Sequence, residues 1–439
     1  MPVRTTPAQI RKMFRLTVTE MEHQIGRFVK RPGKDFTRHR ICTFPNTILA
    51  IMTMEAHSLK RELFEYFRPL KKNPPTRSAF IQSRKKLNDA AFPHLLRAFN
   101  DKIPFHNTYK GIHLLACDGT DSNIPADAQD LASLIPFNSN NGGYYQNHTV
   151  VMFDLLEKRY TDAVIQPRRE INEVQACCEM IDRNPVPGQC LIIADRGFMS
   201  FNLMAHVIEN HNFFLIRTKD IMQALSPFKL FSFPPTGEGE VSCEFVLSRK
   251  LSKQQIEQPQ KYKWLSPKRR FDYISPEDKQ SSYTLSFRLV KLLLADGSAE
   301  YLVTNLSHEK FPPEALRTLY QMRWGVETSF LYLKYNIAMN YFHSISRDSI
   351  SQEIFAKLVL YNFISLIVSC SELLGTNSLY PVQISFSDAV YKCRAYLLSV
   401  IPGKKLLELL LRDLTPIRSG RSYERNIRSQ CLKSLQNRT

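Results

Sequence analysis

Apolar residues recur at helical spacing over residues 4–30, where Ile10, Met13, Phe14, Val18, Met21, Ile25 and Phe28-Val29 share one side of a basic segment. Arg31-Pro32-Gly33-Lys34 ends that amphipathic helix. Pro45 opens a second helical region, with Ile48, Ile51, Met52, Leu59, Leu63 and Phe67 on one side and Lys71-Lys72-Asn73-Pro74-Pro75 as its stop. Thr76 is placed to cap a further helix over Ser78–Asn88, with Gln82, Ser83, Arg84, Lys85 and Lys86 facing outward. The period then shortens. Ile112–Cys117 is an apolar run that closes on Asp118, and Thr149–Leu155 and Tyr160–Ile165 flank Glu157-Lys158-Arg159 as a hairpin. Glu173–Ile181 is helical, Cys190–Ala194 is a buried strand closing on Asp195, Ser200–Glu209 is helical and Phe213–Arg217 is a strand. Three strands, a helix, a strand, a helix and a strand predict a mixed sheet with helices on its faces. Val241–Ser248, Tyr283–Leu294 and Tyr301–Thr304 add strands, the last two joined through the turn signal Asp296-Gly297. From Pro312 the pattern is helical again, and the basic, sparsely apolar segment Ile417–Thr439 is expected to be a mobile tail.

Composition narrows the class. With 439 residues, 43% hydrophobic and 23% charged, the chain is globular and long enough for several units. Fifty-nine Lys and Arg against 41 Asp and Glu give a net charge of +18, which favours a polyanionic partner such as nucleic acid, or an anionic membrane surface. Membrane spanning is disfavoured, because the apolar run Leu358–Val368 is interrupted by Asn362 and falls short of the ~20 residues a spanning helix needs. No apolar signal core follows Met1, so a cytoplasmic location is expected. The nine cysteines are scattered, without a Cys-x-x-Cys pair, and read as reduced thiols rather than a disulfide scaffold or zinc site.

Asp118 and Asp195 each close a buried strand, a place where a rigid sheet presents a catalytic or ligating group; either alone also fits a turn. Asp121 and Asp182 read as structural, and His113 and His148 as strand residues. More specific is the helix after Pro312. At ~100° per residue, Tyr320, Arg323, Glu327 and Lys334 form one polar stripe, beside an anchoring stripe of Leu319, Met322, Val326, Phe330, Leu333 and Ile337. An i,i+4 ion pair would explain Arg323 and Glu327 alone, but not Tyr320 and Lys334 on the same line.

The spacing Tyr320, Arg323-Trp324, Glu327, Lys334 resembles the signature of DDE transposases of insertion-sequence family 4. Asp118-Gly-Thr resembles that family's first catalytic aspartate, Asp195-Arg-Gly-Phe the second, and Glu327 matches the third carboxylate. The segment from Thr76 to Leu87 resembles the N-terminal helical part of many relatives, and the resemblance covers roughly residues 35–370. It implies an α/β fold: a ribonuclease-H-like mixed-sheet catalytic core interrupted by a β-rich insertion, with helical N-terminal and C-terminal regions. The corresponding divisions are 1–105 (helical, DNA-binding), 106–218 (first part of the core), 219–308 (insertion), 309–345 (signature helix), 346–416 (C-terminal helices) and 417–439 (basic tail). On this resemblance Asp118, Asp195 and Glu327 are the catalytic and metal-holding residues, for two Mg²⁺ ions with Mn²⁺ as a substitute; three carboxylates suit such hard cations. Asp118 would be shared between the ions. The implied partner is double-stranded DNA, as terminal inverted repeats and as target, with a homodimer on paired ends in the bacterial nucleoid.

Arg323 and Lys334 are candidates for phosphate contacts and Tyr320 for stacking or hydrogen bonding beside them. Arg84 and Lys85 are candidate DNA contacts on a loosely helix-turn-helix-like segment, or else part of a solvated basic face. Trp264, among Lys261, Lys263, Lys268, Arg269 and Arg270, either stacks on a flipped base or packs under its own subdomain; Trp324 reads as core. Two other readings compete: a ribonuclease-H-like nuclease that cuts without joining, and a non-catalytic, domesticated DNA-binding relative.

Overall fold

The computed structural model describes residues 5–38, 40–137, 142–219, 221, 226–234, 237–372 and 382–416. The expected tail, 417–439, lies outside them. Five helices lead: α1 (Pro7–His23), α2 (Phe44–Thr53), α3 (Leu59–Phe67), α4 (Arg77–Arg84) and α5 (Ala91–Asp101). Their starts follow local chemistry. Thr6 forms a capping box with Gln9 ahead of Pro7, and Thr43 and Thr76 accept the N–H groups of Asn46 and Ala79. Helix α4 stops short of Asn88 because Leu87 bridges to Val29 and Lys86 accepts the Lys30 N–H.

The sheet begins with β1 (His113–Ile124), β2 (Leu134–Pro136), β3 (Gly143–Asp154) and β4 (Arg159–Pro167), followed by α6 (Glu173–Asp182), β5 (Cys190–Ala194), α7 (Phe201–Glu209) and β6 (Phe213–Thr218). Strand order is β4-β3-β1-β5-β6, antiparallel up to β1 and parallel from β1 through β6. That order, with helices between the last three strands, is the ribonuclease-H-like arrangement. Period-two alternation decides the faces. Leu114, Ala116, Leu191 and Ile193 join one core, and Leu115, Cys117, Ile192 and Ala194 join the other with α6 and α7.

The β-rich insertion lengthens this sheet rather than forming one of its own. It contributes β7 (Gly239–Ser248), α8 (Lys253–Glu257), β8 (Tyr262–Trp264), β9 (Ser282–Leu293) and β10 (Ala299–Thr304), and β10 pairs antiparallel with β6. Asp296-Gly297 makes the expected turn, with Gly297 at φ +80° and Asp296 accepting the Ser298 N–H.

Helices α9 (Pro313–Met322) and α10 (Trp324–Leu331), a π-helical turn over Tyr332–Asn336, and α11 (Arg347–Glu372) cover the first face. A two-stranded ribbon, β11 (Val382–Ile384) with β12 (Leu414–Pro416), brackets α12 (Phe386–Leu397) and α13 (Gly403–Arg412). Helix α11 corrects an expectation: Arg347–Ser371 is long and apolar enough to cross a membrane. Here α1, α2, α5 and α12 pack around it instead. Asn362, which interrupts its apolar run, is fully buried and satisfied, accepting the Tyr160 N–H and donating to Tyr160 O and Asn100 Oδ1.

Candidate active site

The last parallel pair between β1 and β5 is Cys117 with Ala194, so Asp118 and Asp195 follow it on adjacent strands. Asp118 does not end its strand, however. Strand β1 continues to Ile124 against β3, and only its pairing with β5 stops there. Asp118 thus stands where two strands part. Its Oδ1 accepts the Gly119 N–H at 2.8 Å, and its Oδ2 accepts from Arg323 Nη1 at 3.2 Å. Burial pushes its carboxyl up to about 6; Gly119 and Arg323 oppose the rise, while Glu327 and Glu173 add to it.

Glu327 reaches the site from α10, where Val326 and Phe330 anchor the helix in the core. It accepts from Arg323 Nη2 at 2.8 Å, so one guanidinium spans Asp118 and Glu327. Asp195 is held by Tyr320, whose hydroxyl donates to its Oδ1 at 3.1 Å, and Arg217 Nη1 stands 4.0 Å away. Burial and then Asp195 raise the Tyr320 phenol, which keeps it a donor. Tyr320 and Arg323 therefore tie all three carboxylates to one stretch of helix.

That stretch is not a single regular helix. Arg323 sits at a tight turn, donating its N–H to Tyr320 O and accepting from Val326 N, and the π-helical turn then carries Lys334. Half-buried Lys334 faces the field of Asp121, and burial lowers its ammonium below the usual lysine range. Gly325 lets α10 sit tight on the sheet: a Cβ there would lie 3.0 Å from Leu155 Cδ2. Trp324 is half exposed, not core; the anchoring stripe of Leu319, Val326 and Phe330 leaves it on the open side.

Three candidates lie elsewhere. Arg84 does not face outward. It is 1% exposed and donates to Glu353 Oε1 at 2.7 Å, Ser349 O at 2.6 Å and Gln352 Oε1 at 3.3 Å, so it is a buried staple to α11 and is not available to DNA. Lys85, one residue on, is exposed. Trp264 lies on β8 at the far edge of the sheet, half exposed, its indole N–H donating to Arg249 O at 3.2 Å. Around it Lys261 pairs with Glu244 and Arg270 with Asp272. An open cavity of about 870 Å³ also gathers positive charge: Lys34, Arg38, Arg40 and Lys86 line it together with the ion pair Arg31–Asp35, beside the start of α4.

Register also assembles a group that spacing did not reveal. Asp121 and His148 are cross-strand partners, and His148 bonds Asp121 Oδ1 at 2.7 Å and Glu173 Oε1 at 2.8 Å. Burial works against a charged imidazole, yet the two carboxylates raise it to about 9. Gly119 is small to admit this pair, since a Cβ would lie 2.3 Å from His148 Nε2 and 2.4 Å from Glu173 Oε1. Gly119→Ala is expected to cost about 1–3 kcal/mol by overpacking, read from urea midpoints. An unchanged midpoint would show that the His148–Glu173 contact yields freely.

Among the described residues, no three acidic, His or Cys side chains are gathered closely enough to hold a metal ion by themselves. The donor set still suits a hard divalent cation: carboxylates from three elements, one of them, Asp118, pushed toward protonation by burial, and two, Asp118 and Glu327, bridged by a single guanidinium.

The family profile described as Transposase DDE domain matches residues 110–363. A probable transposase for insertion sequence element IS5377 from Geobacillus stearothermophilus is 22% identical over 176 residues, 39% of this chain and 38% of the relative. A solved piggyBac transposase synaptic complex with hairpin DNA aligns with 93% of this chain and 82% of its own at 13% identity and a TM-score of 0.45. The profile spans more than half of the sequence and contains every residue of the carboxylate site, and the chain belongs to the Transposase DDE domain family.

Proposed function

We propose that this chain is a cut-and-paste DNA transposase of the insertion-sequence family 4 type, binding its element's terminal inverted repeats and cleaving and joining DNA through Asp118, Asp195 and Glu327. The observation that carries this reading is the attachment of all three carboxylates to Tyr320 and Arg323 on one helical stretch. Membership in a DDE family implies a divalent cation; we take it to be Mg²⁺, with Mn²⁺ as a substitute, held by these three side chains. Such an ion, when bound, polarises a phosphate oxygen and makes an attacking water or 3′-hydroxyl more acidic. The protein's part is positional. Tyr320 keeps Asp195 oriented, Arg323 offers a planar fork to a phosphate, and Lys334 adds positive charge further along the same line. Nicking and strand transfer are both phosphoryl transfers, so one site serves both. Work on two ends calls for a homodimer in the DNA complex, and a cytoplasmic, nucleoid-associated location fits that substrate.

The test is a joining assay with paired duplexes carrying the inverted repeats that flank the gene, in Mg²⁺. Strand-transfer product is expected; cleavage without joined product would assign the chain to the nucleases instead. For end binding, the proposal moves from Arg84 to the basic cavity. Arg38→Ala, Arg40→Ala and Lys86→Ala should each weaken duplex binding and lower the slope of log K against log salt by about 1. Unchanged slopes would remove the cavity from the DNA path.

A further inference from the structure

We propose that Arg323 is a resident counter-cation that holds the Asp118–Glu327 pair together before metal arrives, so that a divalent cation must displace it. This rests on the three carboxylates being the ion-holding group. Four observations support it. The guanidinium fork is divided between two of the proposed ligands, Nη1 on Asp118 and Nη2 on Glu327, at 3.2 and 2.8 Å. Arg323 is only 5% exposed, so water screens these contacts little. With the fork in place, no trio of acidic, His or Cys side chains among the described residues is drawn together tightly enough to cage an ion. Finally, Arg323 Nε is buried without an acceptor, so the side chain is not fully satisfied in this position.

A plain i,i+4 ion pair would leave the guanidinium on the helix surface, between Arg323 and Glu327 alone. Here its second arm crosses to Asp118 on the sheet. The group also has somewhere to go, because its Cζ lies 5.1 Å from the ring centre of the half-exposed Trp324. A divalent ion brings twice the charge and prefers hard oxygens, so it takes the carboxylates above a threshold concentration. The released planar fork then faces the opening with its donors unpaired, the form in which it can take a phosphate. Metal loading and readiness for DNA become one equilibrium.

The experiment is Mn²⁺ binding to the full chain without DNA, followed by the electron paramagnetic resonance signal of free Mn²⁺. Arg323→Gln is expected to bind Mn²⁺ about tenfold more tightly than the wild type, because the competing charge is gone. Glu327→Gln and Asp195→Asn are expected to bind more weakly. Arg323→Gln and Glu327→Gln break the same ion pair from opposite sides, so a mere loss of folding would move both in one direction, whereas displacement moves them apart. Circular dichroism checks the fold; if Arg323→Gln does not fold, Arg323→Lys, which keeps the charge but cannot span both carboxylates, should give a smaller tightening. Affinity unchanged or weakened in a folded Arg323 variant overturns the inference. If Asp195→Asn and Glu327→Gln lose binding while the Arg323 variants gain none, only this inference fails. If no folded form, wild type included, binds Mn²⁺, the ion-holding role of the carboxylates fails with it.

Discussion

Glu327→Gln is expected to lower DNA cleavage by at least about a thousandfold, some 4 kcal/mol of transition-state stabilisation, while the chain stays folded. The substitution keeps the shape of the side chain and removes its charge. Helix α10 is anchored by Val326 and Phe330 on its other side, so its placement does not depend on the carboxylate. What is lost is one of three hard oxygen donors, together with the partner that holds one arm of Arg323. Asp195→Asn should have an effect of the same order, since the amide oxygen can still accept from Tyr320 but carries no charge. Glu244→Gln is the control: Glu244 lies on β7 and pairs with Lys261, and its loss should leave cleavage unchanged. Cleavage of supercoiled DNA in Mg²⁺, with folding checked by circular dichroism, decides the matter. More than roughly a tenth of wild-type cleavage in Glu327→Gln would remove that residue from the chemistry.

The largest loss of stability is expected at Arg84. Arg84→Ala should cost about 3–5 kcal/mol, because it takes the guanidinium from a buried carboxylate, Glu353, leaving it His343 alone, and from Ser349 O and Gln352 Oε1. Urea midpoints measure it. The double variant Arg84→Met, Glu353→Leu should recover part of the loss, since it removes both members of the pair and leaves His343 with Glu62 as its remaining carboxylate. A cost below about 1 kcal/mol for Arg84→Ala would mean that the site is wet or that α4 swings away. The same cluster sets a pH window. Burial opposes the charge on Glu353, but Arg84 and His343 hold its carboxyl down at about 2, against an ordinary 4.5. Its contribution is therefore present above 4.5 and is lost as pH falls toward 2. Burial likewise opposes a charged His343, but Glu353 and Glu62 raise it to about 9 from 6.5. That contribution is full below 6.5 and disappears as pH rises through 9. The cluster is at its strongest between pH 4.5 and 6.5, and urea midpoints in Arg84→Ala should lose much of the acid-side dependence, while the limb set by His343 with Glu353 and Glu62 stays.

The Arg84 result also shows where sequence reading stops. A helix pattern over Ser78–Asn88 with five polar side chains in a row, Gln82 to Lys86, cannot say which of them turns inward. That depended on α11, more than 260 residues away, offering Glu353, Gln352 and the Ser349 carbonyl. Trp324 is the converse. Its type suggested core, yet the anchoring stripe beside it had already filled the space under the helix. His148 carried no signal at all, because its partners, Asp121 and Glu173, meet it only through strand register and the placement of α6.

By itself the sequence determined the alternation of strands and helices, the two strand-borne aspartates and the line of Tyr320, Arg323 and Glu327. Each of these is written in a period of two or 3.6 residues, or in adjacency along one element, and local sterics and burial impose those periods wherever the element lies. Only the tertiary structure decided that β1 runs on past Asp118, that the insertion extends the core sheet through β10 and β6, and that Arg323 lies between two carboxylates. Those outcomes depend on hydrogen-bond partners and charges supplied by distant segments. The net charge of +18 likewise pointed to an anionic partner, whereas folding decided which cations are buried as staples, which line the open cavity beside α4, and that Arg323 stands between two of the acids.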